Sequence, residues 1–246
     1  MNTTRFNPTT NGGLHIGHAY TALVNRHEAH ASGGKYILRF DDNTRYWVRK
    51  LGGQAAMAKI ARGQQKDLEW LGIVPDVVAY QSEMEPAILR YLADSKWQPV
   101  IDHQPVPDHD PRVISDPPIA AGGMWAFLVA EKVISDEMLG TNLLIRGLEI
   151  LAEDGLYRYF RALFGYMSIE TVYIPRLMTA WTEDLADVSK TAGNWKIRDV
   201  RERGHSPEVV RSVLRESCLV DVHGPWSLDN LRTRPVLTRE NGERLE

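Results

Sequence analysis

Two histidines near the start of the chain are placed where they could hold an anion. His15 and His18 lie three residues apart, directly after a turn that contains Gly12 and Gly13. If a helix begins here, both imidazoles project from the same side of its first turn. Free backbone amides and the positive end of the helix dipole favour a phosphate at such a place. The pattern therefore predicts a phosphate site, with a pair of surface or structural histidines as the alternative.

The elements that would position these histidines alternate between the two hydrophobic periods. Apolar residues recur at helical spacing in some segments, and others read as short buried strands. Such alternation favours a parallel sheet with helices on both faces. At the first turn between strand and helix, Gly12, Gly13 and Gly17 would let the backbone approach a nucleotide closely. The predicted elements are helices at about 16–32, 54–71 and 85–96, and strands within 33–40 and 76–82.

The second half of the chain begins with a break in this pattern. Prolines and aspartates dominate Pro99–Gly123, which predicts a connecting insertion or surface loop. Patterning resumes over 124–147, which we interpret as mostly strand. A helix over about Leu156–Phe164 and a strand over 171–178 follow. After Thr182 the chain is polar and predicted to be helical, with a Ser-Pro-Glu helix start at Ser206.

Composition narrows the class of protein. The 246 residues are 43% hydrophobic, which is enough for a full core, and the net charge of -3 gives no overall basic field for nucleic acid. The single cysteine, Cys218, excludes an internal disulfide framework and a multi-thiolate metal site. No signal pattern is found, and no apolar run approaches the roughly 20 residues that span a bilayer. The sequence therefore predicts a cytoplasmic protein with no membrane partner.

Several blocks together resemble a known family. "RFNPTTNGGLHIGHAYTALVN" is similar to the first signature of class I aminoacyl-tRNA synthetases, with His15-Ile16-Gly17-His18 as its tetrapeptide. "YILRFDDNT", "LEWLGI", "YQSE" and "VISDEMLGTNLLIRG" resemble further segments of glutamyl-tRNA synthetases and of their short glutamyl-queuosine tRNA(Asp) relatives. "VSKTAGNWKIRDVRERGHSPEVV" resembles the second signature loop and the helix after it. The blocks keep the family's order over roughly residues 5–215.

The resemblance implies a fold and a division of the chain. The fold would be α/β, a Rossmann-like parallel sheet with a short insertion and a small, mostly helical C-terminal segment. The two halves of the catalytic domain would be 1–98 and 124–181, separated by the insertion at 99–123. The signature loop and helical segment would occupy 182–246, with no anticodon-binding domain.

The implied reaction is ATP-dependent activation of an amino acid, with Mg²⁺ accompanying the ATP. His15 and His18 would contact the ATP phosphates, and Lys190 would reach the pyrophosphate from a mobile loop. These three match the family's catalytic positions. The implied ATP-binding residues are Gly12, Gly13, His15, Gly17, His18, Ser189 and Lys190. No resident metal site is implied.

The amino-acid pocket is implied in the same way. Arg5 and Arg146 match arginines that hold the side-chain carboxylate of the substrate, although each could instead form a structural ion pair. Thr9 and Asp41 match positions near the α-amino group. Counted back from Asp136, the remaining pocket positions fall on Leu128 and Lys132, where the family has tyrosine and asparagine; a slip of three residues places Trp125 at the tyrosine position.

Departures from the family affect both catalysis and the acceptor. Leu148 stands where the family has a glutamate, and Asp187 stands where it has the first lysine of the signature loop. The loss of that lysine predicts weaker neutralisation of the transition state. The insertion lacks cysteines for a zinc site. Its His103 and His109, with nearby aspartates, could bind a metal, and the alternative is that they belong to a solvated loop. We favour an acceptor other than an ordinary cognate tRNA, such as a small molecule or a carrier protein. A tRNA-charging enzyme and a non-catalytic paralogue that binds nucleotide or a partner remain alternatives.

Overall fold

A single parallel sheet forms the centre of the molecule. The computed structural model describes residues 1–95, 124–174, 196–211, 237–238 and 244–245. The five strands pair in the order β3-β2-β1-β4-β5, and every pairing in this sheet is parallel. β2 is buried along its whole length, as expected for a central strand covered on both faces. The strands are β1 (Thr4–Phe6), β2 (Tyr36–Phe40), β3 (Val77–Tyr80), β4 (Leu143–Gly147) and β5 (Glu170–Ile174).

Helices cover both faces of this sheet. Leu144 and Ile145 are neighbours on β4 and lie in two different apolar clusters, because successive strand side chains point to opposite faces. The cluster around Ile145 includes residues of α1, α3 and α7, and the cluster around Leu144 includes residues of α4, α5 and α6. The helices are α1 (Ile16–Ala31), α2 (Arg45–Leu51), α3 (Gln54–Trp70), α4 (Gln81–Asp94), α5 (Met124–Met138), α6 (Asp154–Leu163) and α7 (Ile197–Glu202), with a 3₁₀ segment at Leu148–Glu153.

Two glycines end α1 and return the chain to the sheet. Gly33 has a φ of 71°, and its amide donates to the carbonyl of His30. A Cβ on Gly34 would lie 2.1 Å from the carbonyl oxygen of Asn2, so only glycine fits there. This close approach sets β1 and β2 side by side.

Most predicted elements of the first half are confirmed, and one region was wrong. α1, α3 and β2 fall where the periodicity indicated, while α4 begins four residues before its predicted start at Glu85. The segment 124–147 was interpreted as mostly strand, but its first fifteen residues form α5. Buried residues on α5 recur three and four apart, which is the helical period, and the run is too long for a typical strand. They are Ala126, Phe127, Val129, Ala130, Val133 and Ile134.

The remaining predictions of helices and strands had different outcomes. α6 and the helix at 207–211 after Ser206 are confirmed, and β5 confirms the first half of the strand predicted at 171–178. α2, which buries none of its side chains, was not predicted. The C-terminal segment was predicted to be mostly helical, but a short antiparallel pair joins 237–238 to 244–245. The insertion at 99–123 and residues 175–195 lie outside the described residues.

Candidate functional site

The turn at residues 7–13, here called the glycine turn, leads from β1 into the first residues of α1. His15 caps the helix, and its backbone amide donates to Nδ1 of His18 at 3.3 Å. The two imidazole rings face each other with centroids 3.8 Å apart. A Cβ on Gly17 would lie 3.3 Å from the His15 ring, so the small residue makes room for this tilted pair of rings. The histidines predicted to act together are therefore in direct contact.

His18 is held in its neutral form. Burial, and then the neighbouring His15, lower the pKa of His18 to about 3. Because Nδ1 accepts the backbone hydrogen bond, the ring proton of the neutral tautomer is on Nε2. His18 can therefore donate a hydrogen bond from Nε2 at neutral pH, but it brings no positive charge.

A buried glutamine on α3 holds the glycine turn in place through two hydrogen bonds. The side-chain amide of Gln64 donates to the carbonyls of Thr9 at 3.0 Å and Gly12 at 2.7 Å. A Cβ on Gly12 would meet no atom within 4 Å, so this residue borders open space. Gln64 was not predicted from the sequence, although it and Asp67 are polar residues on the mainly apolar buried face of α3, which was a usable signal.

Thr9 and Asp41 meet at the ends of β1 and β2. Their backbones form a parallel bridge, and the Thr9 hydroxyl donates to Asp41 at 3.3 Å. Thr44 donates to the other carboxylate oxygen of Asp41 at 2.9 Å. The Asp41 carboxylate is thus held at the carboxyl end of the sheet, beside the glycine turn, where it can accept hydrogen bonds from an ammonium group.

Arg5 takes part in a buried ion pair. Its Nε and Nη2 donate to the two carboxylate oxygens of Asp136 on α5 at 2.8 and 2.9 Å. Asp136 also accepts from Arg39 at 3.1 Å and from the Tyr157 hydroxyl at 2.8 Å. The two arginines hold the pKa of Asp136 well below its usual range in spite of its burial. In this structure Arg5 forms the structural ion pair that the sequence left open as an alternative.

Arg146 and Lys132 share a second buried carboxylate, that of Glu153. Lys132 Nζ lies 3.0 Å from Glu153, and Arg146 Nη1 lies 3.5 Å from it. Arg146 also stacks on the Tyr157 ring at 4.5 Å. Its Nε and Nη2 are buried and find no hydrogen-bond partner among the described residues. These two donors point to a missing acceptor, because a buried guanidinium rarely leaves N–H groups unpaired.

The two ion-pair groups form one cluster, which we call the charged pocket. Its members are linked through Tyr157, which contacts both Asp136 and Arg146. Four cations and two carboxylates leave an excess of two positive charges. The charged pocket consists of Arg5, Arg39, Lys132, Asp136, Arg146 and Glu153.

The other predicted site residues lie elsewhere on α5 or outside the described residues. Leu128 lies half-buried on α5, one helical turn before Lys132. The side chain of Trp125, and Ser189, Lys190 and Asp187, lie outside the described part of the chain. The sequence analysis missed Glu153 and Tyr157, and it used Asp136 only to set the register. No short motif marks these three, since the partners of Asp136 and Tyr157 come from other elements and Glu153 lies in a 3₁₀ segment that was not predicted.

The described residues do not form a ready-made metal cage. No group of three or more His, Cys, Asp or Glu side chains is close enough to hold an ion in the ranges that the structure covers. None of the described helices combines the length and the apolar character needed to cross a bilayer.

Fold and site together define a class of protein. The strand order, with a glycine-rich turn after β1 and polar side chains at the carboxyl ends of β1, β2 and β4, is that of a Rossmann-like nucleotide-binding domain. Residues 2–94 match the family of class I tRNA synthetases (E and Q), catalytic domain. This match confirms the resemblance to the glutamyl-tRNA synthetase group.

Individual relatives agree with this assignment. Glutamate–tRNA ligase 1 of Paracoccus denitrificans is 41% identical over 83 residues, which are 34% of this chain and 17% of the relative. Glutamate–tRNA ligase 2 of Methylobacterium radiotolerans is 27% identical over an alignment covering 87% of this chain and 59% of the relative. The glutamate-tRNA synthetase structure from Elizabethkingia anophelis shares the fold, with a TM-score of 0.53 and 17% identity over 82% of this chain and 54% of that one. The chain therefore spans less than two thirds of each of these proteins.

Proposed function

We propose that the chain activates a carboxylate-bearing amino acid, glutamate or an analogue, with ATP. The products of this step would be an aminoacyl adenylate and pyrophosphate. The observation that carries the proposal is Arg146, whose two unpaired N–H donors are buried in a pocket with excess positive charge. An anionic side chain would supply the missing acceptor, and a guanidinium is a natural partner for a carboxylate.

The reaction requires positioning more than proton transfer. The α-carboxylate of the amino acid attacks the α-phosphorus of ATP, and the bond from that phosphorus to the bridging oxygen breaks. ATP would lie over the glycine turn, with His18 Nε2 donating to a phosphate oxygen. Magnesium, when bound, would offset the charge of the departing pyrophosphate. Thr9 and Asp41 would hold the α-amino group, so that the two anions meet in line.

Two residues outside the described ranges would complete the ATP site, and three described residues would shape the amino-acid pocket. Ser189 and Lys190 would join His15, His18 and the three glycines of the ATP site, with Lys190 reaching the pyrophosphate. Arg5 and Lys132 would shape the amino-acid pocket through Asp136 and Glu153. Leu128 would line the pocket as an apolar residue.

For the second step we propose an acceptor other than an ordinary cognate tRNA, such as a small amine or a carrier protein. The departures at Leu148 and Asp187 and the insertion at 99–123 without cysteines support this choice. A tRNA-charging enzyme is the second candidate, because the relatives described above are named as glutamate–tRNA ligases.

ATP–pyrophosphate exchange across a panel of amino acids, with and without total tRNA, tests both candidates. Exchange without tRNA, strongest for a carboxylate-bearing amino acid, is the expected result. Exchange that requires tRNA would support the charging enzyme instead. No exchange in either arm, from protein that binds ATP, would contradict adenylation of any amino acid in the panel.

A further inference from the structure

Lys196 lies against the glycine turn, although it is far from the turn in sequence. Its Cδ, Cγ and Cβ atoms are 3.3, 3.6 and 3.7 Å from the place where a Cβ on Gly13 would be. The backbone of Lys196 forms an antiparallel bridge with His15, and the next amide, of Ile197, donates to the carbonyl of Leu14 at 2.9 Å. The absence of a side chain on Gly13 thus lets the lysine cross the turn.

The segment that carries Lys196 is firmly held. Ile197 and Val200 of α7 are buried in the same apolar cluster as α1. Arg201, also on α7, donates from Nε and Nη2 to Asp67 of α3 at 3.1 and 3.0 Å. The position of Lys196 beside His15 is therefore fixed by packing on both sides of α7.

Lys196 can supply a positive charge at a place where His18 supplies none. His18 is neutral at physiological pH and offers only a hydrogen bond. Lys196 is half-buried, and its ammonium group has no hydrogen bond or ion pair within the ranges that the structure describes. A lysine can lay its aliphatic stem along the protein surface while its ammonium group reaches an anion.

We propose that Lys196 binds the β- or γ-phosphate of ATP on the glycine turn and stays with the pyrophosphate as it leaves. This role rests on the proposed function, since it assumes that ATP binds at the turn. It gives the site a cation at a rigid position, whereas the signature loop has Asp187 where the family has a lysine. Lys196 would thus compensate in part for that lost charge.

Calorimetric titration of Mg²⁺-ATP, Mg²⁺-pyrophosphate and AMP tests this role. Lys196→Met should weaken binding of ATP and pyrophosphate about tenfold or more, which is the effect of losing one charge-assisted contact. AMP lacks the β- and γ-phosphates, so its affinity should not change. Lys196→Arg should retain most of the affinity for ATP. Arg198→Gln, at an exposed position of α7, is the matched control and should bind all three like the wild type.

The outcomes separate this inference from the proposed function. If the wild type binds ATP and Lys196→Met binds it equally well, the role of Lys196 is overturned and the proposed function stands. Loss of AMP affinity together with ATP affinity would mean that Lys196 only supports the turn, which also overturns the inference. A wild-type chain that binds neither ATP nor AMP would overturn the proposed function and this role with it.

Discussion

The glycine turn follows β1 and the charged pocket includes Arg5 of β1, and the two regions are built in different ways. The turn offers backbone amides and leads to a neutral His18 on α1, and it is held by hydrogen bonds from an uncharged side chain, that of Gln64. The pocket consists of ionised side chains from β1, β2, α5, β4 and the 3₁₀ segment. Substitutions in the turn should therefore affect ligand binding more than stability. Changes in the pocket should affect folding first, because buried charges depend on one another.

The largest effect is expected at Asp136. Asp136→Asn leaves Arg5 and Arg39 buried without a counter-charge, which should cost about 3–5 kcal/mol of unfolding free energy. Urea denaturation measures this loss. Glu208→Gln is the control, because Glu208 and its partner Arg211 are 56% and 41% exposed and such a pair should contribute less than about 1 kcal/mol. Equal losses in the two variants would mean that the pocket is not an interdependent charge cluster.

The next effect is a pH dependence of the unfolding free energy, to which Glu131 of α5 and His18 of α1 contribute in opposite directions. Burial raises the pKa of Glu131 to about 8, so the folded state holds a proton that the unfolded state releases near 4.5. Glu131 therefore makes stability fall as the pH rises from 4.5 to 8, and His18 makes it fall as the pH drops from 6.5 to 3. The two oppose each other between pH 4.5 and 6.5.

Above pH 6.5, only Glu131 of these two groups still changes the unfolding free energy with pH. Unfolding free energy should then decrease by about 1.4 kcal/mol per pH unit up to pH 8. Glu131→Gln should abolish this decrease, and Glu137→Gln should keep it. Denaturation curves at pH 6.5, 7.25 and 8 measure the slope. A wild-type slope of zero would show that Glu131 is already ionised in the fold.

Gln64 connects the glycine turn to the core, and its removal should have an intermediate effect. Gln64→Leu leaves the carbonyls of Thr9 and Gly12 without their donors, which should cost about 1–3 kcal/mol. The loosened turn should also weaken ATP binding. Gln65→Leu, at the neighbouring position of α3 where the side chain pairs only with Glu69, should change neither quantity. ATP affinity equal to wild type in Gln64→Leu would remove Gln64 from the site.

The smallest effect is expected in substrate preference. Glu153→Gln removes the carboxylate that Arg146 and Lys132 share, so both cations become more available to the substrate. Preference for glutamate over glutamine in the exchange assay should rise about tenfold, or 1.4 kcal/mol. Asp154→Asn changes the neighbouring carboxylate, which pairs with the exposed Arg158 and interacts with Tyr173, and it serves as the control. A preference unchanged by Glu153→Gln would place the substrate side chain elsewhere.

Local and distant interactions explain how much could be predicted from the sequence. The turn was predicted because its glycines, His15 and His18 are contiguous and act through backbone geometry. α1 and α3 were predicted from one-sided periodicity. α5 was missed because it is apolar on several sides, so that its run of residues resembled a buried strand. The partner of Arg5 could not be predicted, since Asp136 becomes its neighbour only when α5 packs on the sheet, and the pairing of Arg146 with Glu153 depends on the 3₁₀ segment after β4, which no sequence pattern indicated.

The central claim is that the two regions form one site for an aminoacyl adenylate, and a stable mimic tests it directly. We would measure by calorimetry the affinity of glutamyl-sulfamoyl adenosine, and compare it with that of sulfamoyl adenosine without an amino acid. The account predicts binding at least about a hundredfold tighter for the glutamyl compound, because Arg146 gains its missing acceptor. Equal affinity of the two compounds would show that the charged pocket does not receive the amino acid.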